Sequence, residues 1–383
     1  MKRARTGEYR IISAVDEECR AYTPFPLPPN PPLEISLELQ EKMLAASVAL
    51  GRLDGMSHLL PDTGFFLYSY VRKEAVLSSQ IEGTQSSLSD LMLFENEAFA
   101  GVPLDDVQEV SNYVLALEHG IKRLREGFPL CNRLIREIHE KLLSKGRGSE
   151  RDPGHFRRSQ NWIGGTRPGN ALYVPPPTDE VPDCMGQLER FIHNIDGKTP
   201  ALIKAALAHV QFETIHPFLD GNGRVGRLLI TLILCADGIL REPMLYLSLY
   251  FKTYRQRYYE LLQEVRLQGD WEAWLEFFFE GIERTATEGV ETANLLRQQF
   301  EKDAQSVASI GRGTGLELHR YLQTHPITSI ASAVEKLNIS KPTANKAMNE
   351  LSKLGIIREV SGKQRGRVFV YDKYLEILNR SFE

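Results

Sequence analysis

Only four cysteines occur in 383 residues, Cys19, Cys131, Cys184 and Cys235. None stands in C-x-x-C or zinc-finger spacing, which excludes a disulfide framework and a structural zinc site and leaves them as reduced, buried thiols of a cytosolic protein. No run of 18 apolar residues occurs, which excludes a transmembrane helix. The N-terminal Met1-Lys-Arg-Ala-Arg5 has no apolar stretch behind it, so no secretory signal is read there and a cytoplasmic protein without membrane contact is expected. A net charge of −4 gives no global attraction to nucleic acid or to a membrane surface, and only local patches remain for such partners. The pattern G-x-x-x-x-G-K-[ST] is also missing, which excludes a P-loop. The 42% hydrophobic and 25% charged residues that remain describe a soluble chain with a substantial core, long enough for two or three domains.

Against these absences, His216-Pro-Phe-Leu-Asp-Gly-Asn-Gly-Arg-Val-Gly-Arg227 concentrates chemistry in one stretch. Gly221-Asn222-Gly223 lets successive backbone N–H groups converge, and the apolar run Leu228 to Leu234 says that a buried helix begins directly afterwards. A nest opening a helix is an anion site. Arg224 and Arg227, three apart, project from one helix face and can grip neighbouring phosphates. Asp220 adds a hard oxygen ligand, and one carboxylate plus substrate phosphates is the usual way of holding Mg²⁺. A neutral His216 just upstream is placed to take a proton from an attacking hydroxyl. A Gly-Asn-Gly turn before arginines also occurs as a plain solvated helix start, and a single histidine is often structural; the co-occurrence of all four features favours the phosphate site.

At these residues the sequence resembles the Fic family, whose pattern H-x-F-x-[DE]-G-N-G-R-x-x-R is matched at every specified position. The resemblance implies a helical bundle with a small β-hairpin flap that binds ATP with Mg²⁺ and transfers AMP to a Ser, Thr or Tyr hydroxyl of target proteins, itself included. It makes His216 the general base and Asp220 the metal ligand. Gly221, Asn222, Gly223, Arg224, Val225, Gly226 and Arg227 become the ATP-binding stretch, with the two arginines as clamps on the β- and γ-phosphates. Gly223 and Arg227 favour AMP transfer over the phosphotransferase branch, in which the second Gly is Lys and the last Arg is missing. Tyr258-Tyr259 resembles a tyrosine pair of the family; Tyr259 is the candidate for contact with base or ribose, and core packing of both rings is the alternative. Upstream, Ser78-Ser-Gln-Ile-Glu82-Gly83 resembles the inhibitory motif [ST]-x-x-x-E-[GN] of self-inhibited members. A carboxylate in a helix's last turn opposes the helix dipole and should seek a cation; the resemblance makes that cation Arg227, with Ser78 in support.

Composition and periodicity divide the remaining chain into four parts. Residues 1–109 hold the inhibitory helix, read from about Phe65 to Glu82 with Gly83 as its stop, and Thr23-Pro-Phe-Pro-Leu-Pro-Pro-Asn-Pro-Pro32, an extended arm or SH3 ligand. A first helix from Ile35 to Leu53 is expected to break at Asp54-Gly55 and Pro61-Asp-Thr-Gly64. Residues 110–288 form the catalytic core, with amphipathic scaffold helices within 110–145 and a β-hairpin over 158–174. By resemblance that hairpin docks the target segment by strand addition, while Trp162 is equally a core anchor. Residues 289–315 read as a polar helical spacer ending in the hinge Gly311-Arg-Gly-Thr-Gly315. Residues 316–383 resemble a winged helix-turn-helix with its wing at 361–366. Between Lys341 and Lys373, eight Lys/Arg stand against three Asp/Glu, a local excess that suits DNA contact through 340–373; protein docking or a homodimer interface is the other use of such a module. Two competing functions remain: a transcription regulator whose site senses nucleotide, which would need no His216, and removal of AMP by the same site with Glu82 orienting a water.

Overall fold

A computed structural model describes residues 3, 5–59, 64–95, 104–195, 197–310, 313–362 and 366–380. Strands β1 (Gly7–Ala14) and β2 (Glu17–Pro24) form an antiparallel hairpin turning at Val15 and Asp16, whose φ angles are 51° and 60°. Strand β2 takes in the first two residues of the arm expected from Thr23 to Pro32, and the β1–β2 turn carries neither Gly nor Asn to announce it. Residues 25–36 run as a strap without helix or strand. Arg3 ties it down, donating to the carbonyls of Pro31 (2.7 Å) and Pro32 (2.9 Å) and pairing with Glu272.

Helix α1 (Leu37–Leu59) continues through Asp54-Gly55, where a break was expected, because tertiary contacts support it: Asp54 accepts from the Arg241 N–H at 2.8 Å. The break expected at 61–63 lies outside the described residues. Next come α2 (Gly64–Ile81), α3 (Leu88–Glu95), α4 (Leu104–Arg125), α5 (Asn132–Leu142), α6 (Val181–Ile192), α7 (Ala201–Ile215), α8 (Asn222–Ala236), α9 (Ser248–Thr253), α10 (Arg255–Gln268) and α11 (Trp271–Ile310). In α7 every residue from Leu202 to Ile215 is buried, and α8 is nearly as enclosed. Helices apolar all round belong at the centre of a bundle, so this antiparallel pair is the rigid frame that the His216 loop joins. Trp274 stacks near His209, Phe251 and Tyr258 and donates Nε1–H to the Ala206 carbonyl at 3.0 Å. Trp274→Ala is expected to cost about 3–5 kcal/mol, read as a lower urea midpoint of unfolding.

The 158–174 stretch is less regular than the expected hairpin. A single antiparallel bridge joins Ile163 and Tyr173 around a 3-10 turn at Pro168–Asn170. Gly164 and Gly165, both at positive φ, interrupt the ladder. Neighbouring support comes from β2, where the Tyr22 N–H donates to Val174 O at 2.9 Å, and Trp162 packs on a small cluster of Ala14, Cys19, Ala21 and Val174.

Helix α11 is one rod of 40 residues, so the boundary expected at residue 289 falls inside a helix. Gly311 and Arg312 of the expected hinge lie outside the described residues. Beyond them stand α12 (Thr314–Thr324), β3 (Ile327–Ser329), α13 (Ile330–Leu337), α14 (Lys341–Lys353), β4 (Arg358–Glu359), β5 (Val368–Val370) and α15 (Asp372–Leu378), with the sheet ordered β3-β5-β4. This is a winged helix; β3 and α15 are too short to be read from periodicity, and half of the expected wing, residues 363–365, is outside the described residues. Ser340 caps α14, accepting from the Thr343 N–H. The module packs on the bundle: Tyr371 donates its hydroxyl proton to Asp303 of α11 at 2.5 Å, and Tyr374 bonds Ser69 of α2. Helix α2 is therefore held along its length, by Tyr374 at Ser69, by Glu288 at Lys73 (3.0 Å) and by Ser248 at Glu74 (2.5 Å).

Candidate active site

The last turn of α7 ends at His216 in the left-handed conformation (φ 49°, ψ 58°), and its N–H still donates to Phe212 O at 2.9 Å. That bend throws residues 216–221 into a loop whose carbonyls need donors. Arg157 supplies Nε–H to His216 O (3.0 Å), and Asn161 donates Nδ2–H to Phe218 O (2.9 Å). Asn222 clamps the loop from inside, accepting from the Phe218 N–H and donating to the Phe218 carbonyl, both at 2.8 Å. From α5, His139 stacks flat on Phe218, centroids 3.7 Å apart. Its Nδ1 accepts from the Gly154 N–H (2.9 Å), which fixes the proton on Nε2, donated to Asp220 O (3.0 Å). Burial pushes His139 down to about 4, so this tautomer is neutral and stable. His139→Ala is expected to remove both bonds and the stack, lowering the midpoint of unfolding by roughly 2–4 kcal/mol equivalent.

Gly221 caps α8 at φ 78°, as a nest requires. The amides of Asn222, Gly223 and Arg224 then open the helix without intrahelical acceptors. A polar cavity of about 150 Å³ lies before them, lined by Glu82, Glu109, Arg147, His216, Asp220 and the 221–224 stretch. Asp220 Oδ1 accepts from the Gly221 N–H (2.6 Å), while Oδ2 makes no hydrogen bond among the described residues. Among those residues no cluster of three His, Cys, Asp or Glu exists that could enclose a metal. One carboxylate with a free oxygen fits a magnesium ion carried mainly by phosphates.

The two arginines are differently engaged. Arg224 is buried against Glu109 of α4 (Nη1 to Oε1, 2.6 Å) and lies 3.4 Å from Asp220. Arg227, 2% exposed, donates Nε–H to Ser78 Oγ (2.8 Å), Nη2–H to Ser78 O (3.0 Å) and Nη2–H to Glu82 Oε1 (2.6 Å). Burial presses the Glu82 carboxyl up, but the Arg227 charge and hydrogen bond, with Arg224 and His216 behind, hold it below the ordinary range. A Cβ on Gly223 would overlap the Glu82 carboxylate. Glu82 therefore sits as an anion at the mouth of the α8 N-terminus.

His216 faces the same cavity. Its Nδ1 is shut from solvent and has no hydrogen-bond partner, so Nε2 is the nitrogen available to a bound hydroxyl. Burial, with Arg266 and Arg157 adding, pushes its pKa down to about 3, leaving a neutral ring at physiological pH. Of the tyrosine pair, Tyr258 is core, its hydroxyl proton going to His209 Nε2 (2.9 Å) because His209 Nδ1–H is given to Gly226 O. Tyr259 is 42% exposed, and its hydroxyl feels the charges of Glu82 and Arg227. Val225 is buried in α8 and Gly226 packs on α7, so these two contribute shape only. Sequence reasoning missed His139, Arg157, Asn161, Glu109 and Glu213; they lie on helices or at the expected hairpin, and no local motif marks them.

Residues 40–122 match the family model described as Fic/DOC family N-terminal, residues 129–234 that of the Fic/DOC family, and residues 312–358 that of winged helix-turn-helix DNA-binding. The protein adenylyltransferase Fic of Drosophila yakuba is 28% identical over 234 residues, covering 60% of this chain and 44% of the relative. That of Aedes aegypti is 31% identical over 213 residues, 54% and 39% of the two chains. The chain thus spans less than half the length of these curated relatives. A Fic family protein from Desulfovibrio desulfuricans shares the fold over 89% of this chain and 97% of its own, with TM-score 0.58 at 22% identity. With the complete motif at the start of α8, residues 40–122 and 129–234 are the N-terminal and Fic domains of the Fic/DOC family.

Proposed function

We propose that the protein transfers AMP from ATP to a Ser, Thr or Tyr hydroxyl of target proteins and of itself, and that Glu82 restrains it. The single observation that carries this reading is the convergence of His216, Asp220, Arg224 and the α8 N-terminus on one cavity, with Glu82, the partner of Arg227, lining it where an anionic phosphate would sit. The α8 amides and Arg227 receive the terminal phosphates, whose charge their dipoles and guanidinium oppose. Asp220 would hold Mg²⁺, which when bound neutralises phosphate charge. His216 Nε2 takes the proton as the acceptor oxygen bonds to the α-phosphorus and the bond to the pyrophosphate oxygen breaks. Tyr259 offers an exposed ring beside the site for the base or ribose. The curated relatives are named protein adenylyltransferases, which supports the same reaction class. The test is labelled ATP with the full chain: label retained on protein from the α-phosphate but not from the γ-phosphate is expected, and the reverse overturns AMP transfer.

The winged helix is assigned to duplex DNA. Lys346 and Lys353 are exposed on one side of α14 and Lys341 is exposed at its start, whereas Arg358 is held by Asp372 (2.7 Å) and Arg367 by Asn345 (2.6 Å). In the full chain, replacing the three lysines by alanine is expected to weaken duplex binding and reduce its logarithmic salt dependence by about 2 to 3. Absence of duplex binding by the parent at low salt would transfer the module to protein docking.

A further inference from the structure

A buried carboxyl in the last turn of α7 takes no part in the contacts above. Glu213 is 6% exposed, and its Oε1 has no hydrogen-bond partner. Leaving such a group unsatisfied is unfavourable. Its Oε2 stands 4.0 Å from His216 Nδ1, the ring nitrogen that is itself buried and unpartnered. An acceptor and a donor position thus face each other just beyond hydrogen-bond reach. Gly226 of α8 makes the room: a Cβ there would overlap Glu213 Oε1. Because the His216 main chain is fixed by Arg157 and its own αL bend, only the ring torsion and the carboxyl need adjust to close the gap.

We propose that Glu213 is the positioning residue for His216, accepting the Nδ1 proton so that the Nε2 lone pair faces the cavity and so that the imidazolium formed during transfer is stabilised. This rests on the adenylyl-transfer reading. The balance is complete: the acceptor O–H breaks and its proton goes to Nε2, the oxygen bonds to the α-phosphorus, and pyrophosphate leaves with the electron pair of the broken P–O bond. The Nδ1 proton stays between ring and carboxylate throughout. A carboxylate at the far nitrogen of a catalytic histidine fixes the ring's tautomer and orientation and stabilises the imidazolium.

The groups facing Glu213 are His216, Arg227 on α8, Glu82 after α2, and Tyr258, Tyr259 and Arg266 on α10. Burial, with Glu82 adding and Arg227 and Arg266 opposing, raises it to about 7. The raised value gives the sign: the neutral acid stabilises the fold fully below the ordinary value of 4.5, and that contribution is lost as pH rises through about 7, where the carboxylate appears. Transfer should therefore rise with pH across the same interval.

The experiment compares Glu82→Gly with Glu82→Gly/Glu213→Gln, measuring kcat and KM for ATP from about pH 5 to 9. Glutamine keeps the volume but cannot ionise. Expected in the double variant are kcat lower by about 10-fold at pH 8, KM for ATP within about 2-fold, and a flattened rise near neutrality. A glutamine variant with the parent's kcat and pH profile overturns this inference alone. No transfer by the parent overturns the adenylyl-transfer reading, and this inference with it.

Discussion

Glu82→Gly is expected to transfer AMP faster than the wild type, by roughly 5- to 150-fold. Arg227 must meet the terminal phosphate for the α-phosphorus to lie in line with an incoming hydroxyl, and in the resting protein its Nη2 is bound to Glu82 at 2.6 Å. One hydrogen bond from the buried guanidinium to this carboxylate contributes about 1–3 kcal/mol, which converts to that factor. Removing it frees the cation and empties the space beside Gly223 that the carboxylate fills. Ser78 still holds Arg227 through its hydroxyl and carbonyl, so the clamp stays aimed when Glu82 is gone. Because the Glu82 pKa is depressed, the pair persists as pH falls through the ordinary carboxyl range and is lost only below it. Arg227→Ala should cancel the gain. Initial automodification rates of the wild type, Glu82→Gly and the double variant decide: equal or slower transfer by Glu82→Gly would sink the inhibitory reading and give Glu82 a productive role, such as orienting water for AMP removal.

Alanine at His216 is expected to reduce transfer by on the order of 10²-fold or more while ATP binding changes little. The ring is neutral, faces the cavity through Nε2 and receives no hydrogen bond that phosphate binding requires. Its loss removes a proton acceptor for the hydroxyl and leaves the α8 amides, Arg224 and Arg227 where they were. The loop keeps its course because Arg157, Asn161 and Asn222 hold main-chain atoms that alanine also has. Measuring transfer and nucleotide affinity in the Glu82→Gly background separates the two effects. Transfer undiminished in His216→Ala would remove the histidine from the mechanism, and a matching loss of affinity would make it a binding residue.

Element type was readable wherever periodicity or capping is strong. The helix carrying the inhibitory motif begins and ends within one residue of expectation, and the buried helix expected at the phosphate nest is α8, since Gly83, Gly221 and the apolar run are local signals. Where a local signal competed with packing, packing won. Asp54-Gly55 reads as a stop, yet α1 runs on because Asp54 is engaged by Arg241. The β1–β2 turn has no turn residue that announces it, and the two glycines after Ile163 weaken a hairpin that the flanking β-prone runs suggest.

For the site, the twelve residues from His216 to Arg227 sufficed by themselves to name base, metal carboxylate, anion nest and arginines, because in such a loop-to-helix turn these groups are neighbours in the chain. The pairing of Glu82 with Arg227, 145 residues apart, was legible only as a resemblance; its geometry exists because α2 crosses the start of α8. Glu109 on Arg224, His139 under Phe218 and Glu213 beside Gly226 were decided by tertiary structure alone. A carboxylate or an imidazole on a helix looks alike in sequence whether it faces water or an arginine, and only the packing of α4, α5 and α7 against α8 fixes which charge it meets and how deeply both are buried.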